Sequence, residues 1–221
     1  MSELTTVVKE RRSANNFLEN QPISINELNE MFELTKFAPS ANNLQHAKYI
    51  AVLNTHIKEQ IKEAAGQYKV STASAVILVL GDKKAHQNVA QIYEGLLHLG
   101  IMDQREYEET VSSIITDAET KGEKFQSEEA IRNASLSAMQ FMLIAKDKGW
   151  DTCPMIGFDQ AKVREILNIT NQYEIALMIT IGKEKTASRR PRGYRKPVTE
   201  FVTYIKKTKN SLKAVLRFFI S

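Results

Sequence analysis

The chain has 221 residues but only one cysteine, Cys153. A single cysteine excludes an internal disulfide and a cysteine-based zinc site, and it is typical of proteins from a reducing compartment. No apolar run approaches the length of a membrane span, and the first residues, MSELTTVVKERRS, lack the apolar region of a signal peptide. We therefore expect a cytoplasmic protein without a membrane span.

Common catalytic motifs are missing as well. The sequence has no GxGxxG after a strand, no Walker P-loop, no HExxH and no serine in a GxSxG turn. Its four histidines are scattered without zinc-type spacing, so no metal ligand is assigned. Because Cys153 stands beside Pro154 and Met155, we interpret it as a buried structural residue and not as a nucleophile.

The positive charge of the chain is local. The net charge is +4 and the isoelectric point is about 9.0, which is too mild for a dedicated nucleic-acid binder. Residues 185–197, KTASRRPRGYRKP, and residues 206–217, KKTKNSLKAVLR, carry most of the excess. A dense cation cluster can hold an anion, or it can be a solvated basic tail, and both interpretations stay open at this point.

The apolar pattern predicts one mixed α/β domain. One helix should begin after a cap at Ser24 or Asn26 and end at Pro39. Another should begin after a cap at Ser127 and end near Gly149. Apolar residues at helical spacing and continuous apolar runs give the remaining elements. The predicted helices are 4–12, 25–38, 55–65, 84–122, 127–148 and 160–167, and the predicted strands are 47–53, 73–81 and 173–182, with a strand-like stretch, FVTYI, at 201–205.

Four polar stretches lie at the boundaries of these elements. They are RRSANNF at 11–17, PSANNLQ at 39–45, PMIGF at 154–158 and SRRPRGYRKP at 188–197. In order and spacing they resemble the motifs of the FMN-dependent nitroreductase family, over residues 1–205. The resemblance implies a three-layer α+β fold with a mostly antiparallel central sheet flanked by helices, in an intertwined homodimer. Residues 1–205 would form the FMN-binding domain. We expect residues 206–221 to be a C-terminal extension that wraps the partner subunit, although its alternation of lysines with apolar residues could also suit a membrane surface.

The resemblance implies a phosphate site at the first stretch. It assigns Arg11, Arg12 and Ser13 to the FMN phosphate, where guanidinium groups can pair bidentately with phosphate oxygens. Asn15 stands where the family often has a third cation, and it supplies a neutral donor instead. The last stretch would complete the phosphate site through Arg195, with Arg192 as a weaker candidate.

The other stretches would contact the flavin itself. In PSANNLQ the resemblance assigns Asn43 and Gln45 to the ring edge or the ribityl hydroxyls. Gln67 and Lys69 are expected near the flavin pyrimidine, where a cation favours the reduced anion. The turn under the central ring is assigned to Pro154, Met155, Ile156 and Gly157. Some relatives carry a glutamate where this chain has Ile156.

The activity implied by the resemblance is an NAD(P)H-dependent nitroreductase or quinone reductase. Hydride would pass from NAD(P)H through flavin N5 to a flat acceptor such as a nitroaromatic or a quinone, in ping-pong order at one site. No catalytic side chain is assigned, because solvent can supply protons to an open site. Residues 92–125 would lie over the site and shape the choice of acceptor.

Two other functions remain open. The chain could be a family member with a dedicated substrate, such as an enone or a pteridine. It could instead be a non-enzymatic basic protein that binds a membrane surface or nucleic acid through residues 185–217.

Overall fold

A computed structural model of the chain describes residues 3–205. Its contacts divide the chain after Arg189 into two units. The elements of the first unit are, in chain order, α1 Glu3–Glu10, α2 Ile25–Thr35, a 3-10 turn Ala41–Asn43, β1 Ala47–Val52, α3 Thr55–Ala65, α4 Lys69–Thr72, β2 Ala75–Asp82, a 3-10 turn Ala85–Asn88, α5 Val89–His98, α6 Gln104–Asp147, β3 Asp151–Met155, α7 Gln160–Leu167, β4 Tyr173–Gly182 and a 3-10 turn Thr186–Ser188. In the second unit, α8 spans Val198–Phe201.

The four strands form one antiparallel sheet in the order β1-β2-β4-β3. β2 lies inside this sheet and is buried on both faces, as its continuous apolar run predicts. β3 was not predicted from the sequence, because it has only five residues and contains Pro154. A proline is tolerated there because β3 is an edge strand, with a ladder partner on one side only.

Helices cover both faces of the sheet, which confirms the three-layer α+β prediction. On one face, α2 and α6 pack against alternate residues of β2 and β4, including Ile77 and Ile179. On the other face, α3, α4 and α7 pack against the intervening residues, including Leu78 and Met178. The alternation of side chains along a strand therefore divides the core into two halves.

The long helix α6 differs from the two helices, 84–122 and 127–148, that the sequence predicts for this region. α6 begins at Gln104, after an Asp103 cap whose carboxylate accepts the backbone N–H of Glu106 at 2.8 Å. It is interrupted where Gly122 has a φ of 75°, and it ends close to the predicted stop at Gly149. The prediction that Ser127 caps a helix is wrong, because Ser127 lies within α6 and its hydroxyl donates to Glu174 at 3.0 Å.

The structure shows how both ends of α2 are formed. Ser24 caps α2 in a reciprocal capping box with Glu27. That helix ends at Thr35, before the loop that contains Pro39. None of the helices within residues 3–205 is both long and apolar enough to cross a membrane.

The second unit is described over residues 190–205. After α8, residues 202–205 have no regular secondary structure, so the strand-like interpretation of FVTYI is wrong for this unit. The predicted C-terminal extension, residues 206–221, lies outside the described residues.

Close contact between α6 and the sheet requires a glycine at one position. A Cβ atom at Gly81 would lie 2.4 Å from the carbonyl oxygen of Ala130 in α6. Both groups belong to buried backbone that cannot move independently of its element. Gly81 therefore sets the distance between α6 and β2.

Replacing Gly81 with alanine should destabilise the protein. Because the added methyl group would displace α6, we expect Gly81→Ala to lower the free energy of unfolding by about 1–3 kcal/mol. Urea unfolding measures this change. Gly95→Ala is the matched control, since a Cβ atom placed on Gly95 in α5 would meet nothing within 4 Å, and there alanine should be neutral or stabilising. Equal stability of Gly81→Ala and wild type would contradict the role of Gly81 in setting the distance between α6 and β2.

Candidate functional site

The first polar stretch lies along the outer edge of β3. Ser13 forms a parallel bridge with Thr152, and the backbone N–H of Ala14 donates to the Thr152 carbonyl at 3.0 Å. Farther along, Phe17 bridges Glu184 beyond the end of β4. Ala14 and Phe17 are buried, whereas the Ser13 side chain is exposed. The segment is thus anchored by its apolar residues and leaves its hydroxyl accessible.

Residues after α3 reach the same edge. α3 ends at Gly66 with a left-handed φ of 61°, which turns the chain toward β3. The ammonium group of Lys69 then donates to the Cys153 sulfur at 3.4 Å, and the amide of Gln67 lies 3.5 Å from the Gly157 carbonyl oxygen. Since Cys153 follows Thr152, Lys69 lies close to the segment that carries Ser13. Cys153 itself is buried, as predicted.

The PMIGF stretch is part strand and part turn. Pro154 and Met155 belong to β3, so the prediction that they form a turn is wrong for these two residues. Ile156 and Gly157 follow as the turn, and the Ile156 side chain is 72% exposed. Nothing lies within 4 Å of a Cβ placed on Gly157. An exposed apolar residue beside open backbone provides a surface on which a flat ring can lie.

These groups form what we call the β3-edge cluster. Its cations and donors can bind an anionic group, and its apolar turn can bind a ring. Asn15, two residues after Ser13 in the chain, is half-buried. The members of the cluster are Arg11, Arg12, Ser13, Gln67, Lys69, Pro154, Met155, Ile156 and Gly157.

The PSANNLQ stretch, which we call the amide loop, has an unusual backbone. Asn42, Asn43 and Gln45 have φ angles of 48°, 53° and 52°. Residues other than glycine rarely adopt this left-handed region, and each costs about 1–3 kcal/mol when the structure enforces it. The Ser40 hydroxyl helps to hold this conformation by accepting the Gln45 backbone N–H at 2.9 Å.

A helix residue that the sequence analysis did not identify also holds the amide loop. Asn133 of α6 is 4% exposed, and its side-chain oxygen accepts the Ala41 backbone N–H at 2.8 Å. Its amide group donates to the Glu129 carbonyl at 2.8 Å. The only sequence signal for this role is an isolated amide on a helix face otherwise made of small and apolar residues.

The amide loop does not lie at the β3 edge of its own chain. It leads directly into β1, and β1 and β3 are opposite edges of the sheet. Three strand spacings separate them, which is about 14 Å. The structure therefore brings the first and third stretches together with Gln67 and Lys69, whereas Asn43 and Gln45 lie elsewhere on the chain.

The fourth stretch crosses the boundary between the two units. Arg189, at the end of the first unit, pairs with the buried carboxylate of Glu184 at 2.5 Å. Arg192 and Arg195 belong to the second unit, within which the Arg195 guanidinium donates to the Tyr194 carbonyl at 2.8 Å. Their assignment to a phosphate stays a prediction.

No metal centre is evident in the described part of the chain. Residues 3–205 contain no group of three or more histidine, cysteine, aspartate or glutamate side chains that could hold an ion.

Comparison with known proteins gives a consistent result. The chain is 63% identical over 206 residues to the Bacillus subtilis protein MhqN, whose name places it among the NAD(P)H nitroreductases, and the match covers 93% of this chain and 100% of MhqN. It is 26% identical over 186 residues to an enone reductase of Lactiplantibacillus plantarum, covering 82% of this chain and 86% of that enzyme.

Solved structures agree with the sequence matches. The Bacillus subtilis protein YdfN superposes with a TM-score of 0.90 at 62% identity, covering 92% of this chain and 99% of YdfN. A nitroreductase-type protein of Exiguobacterium sibiricum, solved in complex with FMN, has a TM-score of 0.83 at 27% identity, covering 93% and 98%. The family model "Nitroreductase family" matches residues 8–183. This chain belongs to the nitroreductase family.

Proposed function

We propose that the protein is an FMN-dependent oxidoreductase that passes electrons from NAD(P)H to a flat acceptor such as a quinone or a nitroaromatic. The observation that carries this proposal is the β3-edge cluster: the segment that carries Arg11, Arg12 and Ser13 pairs with β3 at Thr152, and Lys69 contacts the neighbouring Cys153. The same strand leads into the exposed apolar turn at Ile156. The Exiguobacterium relative that was solved with FMN supports the choice of cofactor.

The chemistry of the cluster fits FMN. A phosphate needs cationic and hydroxyl donors, which Arg11, Arg12 and the exposed Ser13 supply. A flavin ring needs an accessible apolar surface, which Ile156 and the open backbone of Gly157 supply. Arg192 and Arg195 would add further positive charge to the phosphate. Asn15 would contribute a neutral donor in place of a third cation.

Bound FMN would supply the two-electron chemistry, while the protein binds, orients and tunes it. Lys69 would hold a positive charge near the pyrimidine end of the ring, and Gln67 would add a donor. We assign no side chain to proton transfer, since the turn at residues 156–157 is open to solvent.

We propose further that each complete site combines two copies of the chain. The amide loop lies at the sheet edge opposite the β3-edge cluster, so its Asn43 and Gln45 would contact the flavin held by the partner. Exposed apolar side chains on α2, just after it and on α6 would pack in the interface; they are Leu34, Phe37, Ile131, Leu136 and Met139. The extension at 206–221 would wrap the partner subunit.

A second candidate is reduction of a dedicated enone. Its support is the 26% identity to the Lactiplantibacillus enone reductase. Comparison of kcat/KM for a cyclic enone and for a benzoquinone distinguishes the two acceptor classes.

Purified protein should be yellow, and NADPH or NADH should bleach its flavin spectrum under nitrogen. Each guanidinium–phosphate contact contributes about 1.5–3 kcal/mol, so combined Arg11→Ala and Arg195→Ala should weaken FMN binding by about 100-fold or more. Fluorescence titration with FMN measures the change. Lys148→Ala, which removes a cation from an exposed ion pair with Glu30, is the control. A colourless protein that does not bind added FMN would refute the proposed function.

Mixed dimers test whether sites are shared between copies. Lys69→Met and Asn43→Ala homodimers should both have reduced activity. A heterodimer of the two variants should recover about half of the wild-type activity, because one of its two sites would combine unaltered groups. Chains with different affinity tags allow its isolation. If each site lay within one chain, the heterodimer would be no more active than the variant homodimers.

Gln45→Gly should make the protein more stable but weaken its binding of FMN. Relief of the left-handed strain should raise the free energy of unfolding by about 1 kcal/mol, while loss of the amide should weaken FMN binding. Urea unfolding and FMN titration measure the two effects. Asn168→Gly is the control, since Asn168 has a φ of 50° at the end of α7 and should leave FMN affinity unchanged. A less stable Gln45→Gly variant would contradict the strain assignment.

A further inference from the structure

A cavity of about 640 Å³ shares no wall residue with the β3-edge cluster or with the amide loop. It is formed by residues 19–22, by α3 and by α4 with the two residues that follow it. Its floor and its rim differ in character, since Lys58 and Ala73 are buried whereas Thr55 and Tyr68 are exposed. A cavity of this volume is typical of sites that bind small molecules.

The floor of the cavity contains a buried lysine. Lys58 is 7% exposed, and its ammonium group donates to the Ala73 carbonyl at 2.7 Å. An ammonium group has three N–H donors, and a neutral carbonyl satisfies one of them without balancing the charge. Lysine is almost never buried unless its charge is paired. Lys58 is therefore the group of this wall that an anionic ligand would pair with.

The carboxylates of the wall do not supply that pairing. Glu59 is the carboxylate whose charge acts on Lys58, but its own ion-pair partner is Lys62. Glu19, at the exposed rim, accepts a hydrogen bond from the Tyr68 hydroxyl at 3.0 Å. In the described part of the chain, no carboxylate forms an ion pair with the Lys58 ammonium. The positive charge at the floor is thus left for a ligand to balance.

Burial affects the protonation of this lysine. It lowers the pKa of Lys58 from the ordinary value of 10.5, and the charge of Glu59 opposes the shift. The shift arises because an environment with little water disfavours the charged form of an amine. An anion bound against the ammonium group would favour the charged form and would raise the pKa again. Binding of an anion and retention of the proton on Lys58 are therefore coupled.

We propose that this cavity binds a small monocarboxylate, whose carboxylate group pairs with the Lys58 ammonium at the floor. One ammonium group balances one negative charge, whereas a phosphate group carries nearly two and would need a second cation. Asn20 and Gln21 at the rim have amide groups that both donate and accept hydrogen bonds, so they suit a ligand that also carries a hydroxyl group. The proposal does not depend on the proposed redox function.

Lactate and lactamide are matched probes, because they share a shape and a hydroxyl group but differ in charge. Isothermal titration calorimetry on the full-length protein as purified should detect lactate binding at neutral pH. Lys58→Met should lower the ratio of lactate affinity to lactamide affinity by about tenfold or more, the value of one charge-assisted hydrogen bond. Lys62→Met is the matched control, since it removes a cation of the same wall that is already paired with Glu59. It should leave the ratio nearly unchanged.

A measurement on the wild type keeps the test decisive if Lys58→Met does not fold. Because only the protonated amine pairs with a carboxylate, lactate affinity should fall as the pH rises through the lowered pKa of Lys58, whereas lactamide affinity should stay constant. Absence of lactate binding to the wild type, an unchanged ratio in Lys58→Met, or a lactate affinity that stays constant up to pH 10.5 would overturn the proposal. Lactate binding that alters the flavin spectrum and persists in Lys58→Met would also overturn it, since the occupied site would then be the redox site.

Discussion

Backbone pairing between residues 13–14 and β3 determines where the candidate site lies. An exposed strand edge has unpaired N–H and carbonyl groups that need a partner, and the N–H of Ala14 satisfies one of them at Thr152. The same contact fixes the exposed Ser13 hydroxyl beside the strand that leads to Ile156. Phe17 secures the far end of the segment, since its ring occupies the space in which a Cβ on Gly182 would lie, 2.7 Å away.

The opposite edge of the sheet has a different character. There the amide loop holds three left-handed residues, and Asn133 stabilises it from α6. Such strain persists only where surrounding contacts enforce it, and it is concentrated at functional sites. The proposed site has one half at each edge of a single sheet, so one chain cannot unite the two halves. In the proposed dimer, the amide loop of one copy would meet the β3-edge cluster of the other.

The sequence predicted most elements whose signal is local. β2 and β4 have strong apolar runs, and α3 and α7 have caps and helical periodicity, so their predicted bounds are close to the observed ones. β3 was missed because its five residues include a proline and carry little pattern. Ser127 has the chemistry of a cap, but α6 continues through it and its hydroxyl bonds to Glu174 instead. The separation of the predicted site residues between two sheet edges depends on strand order, which no local signal contains.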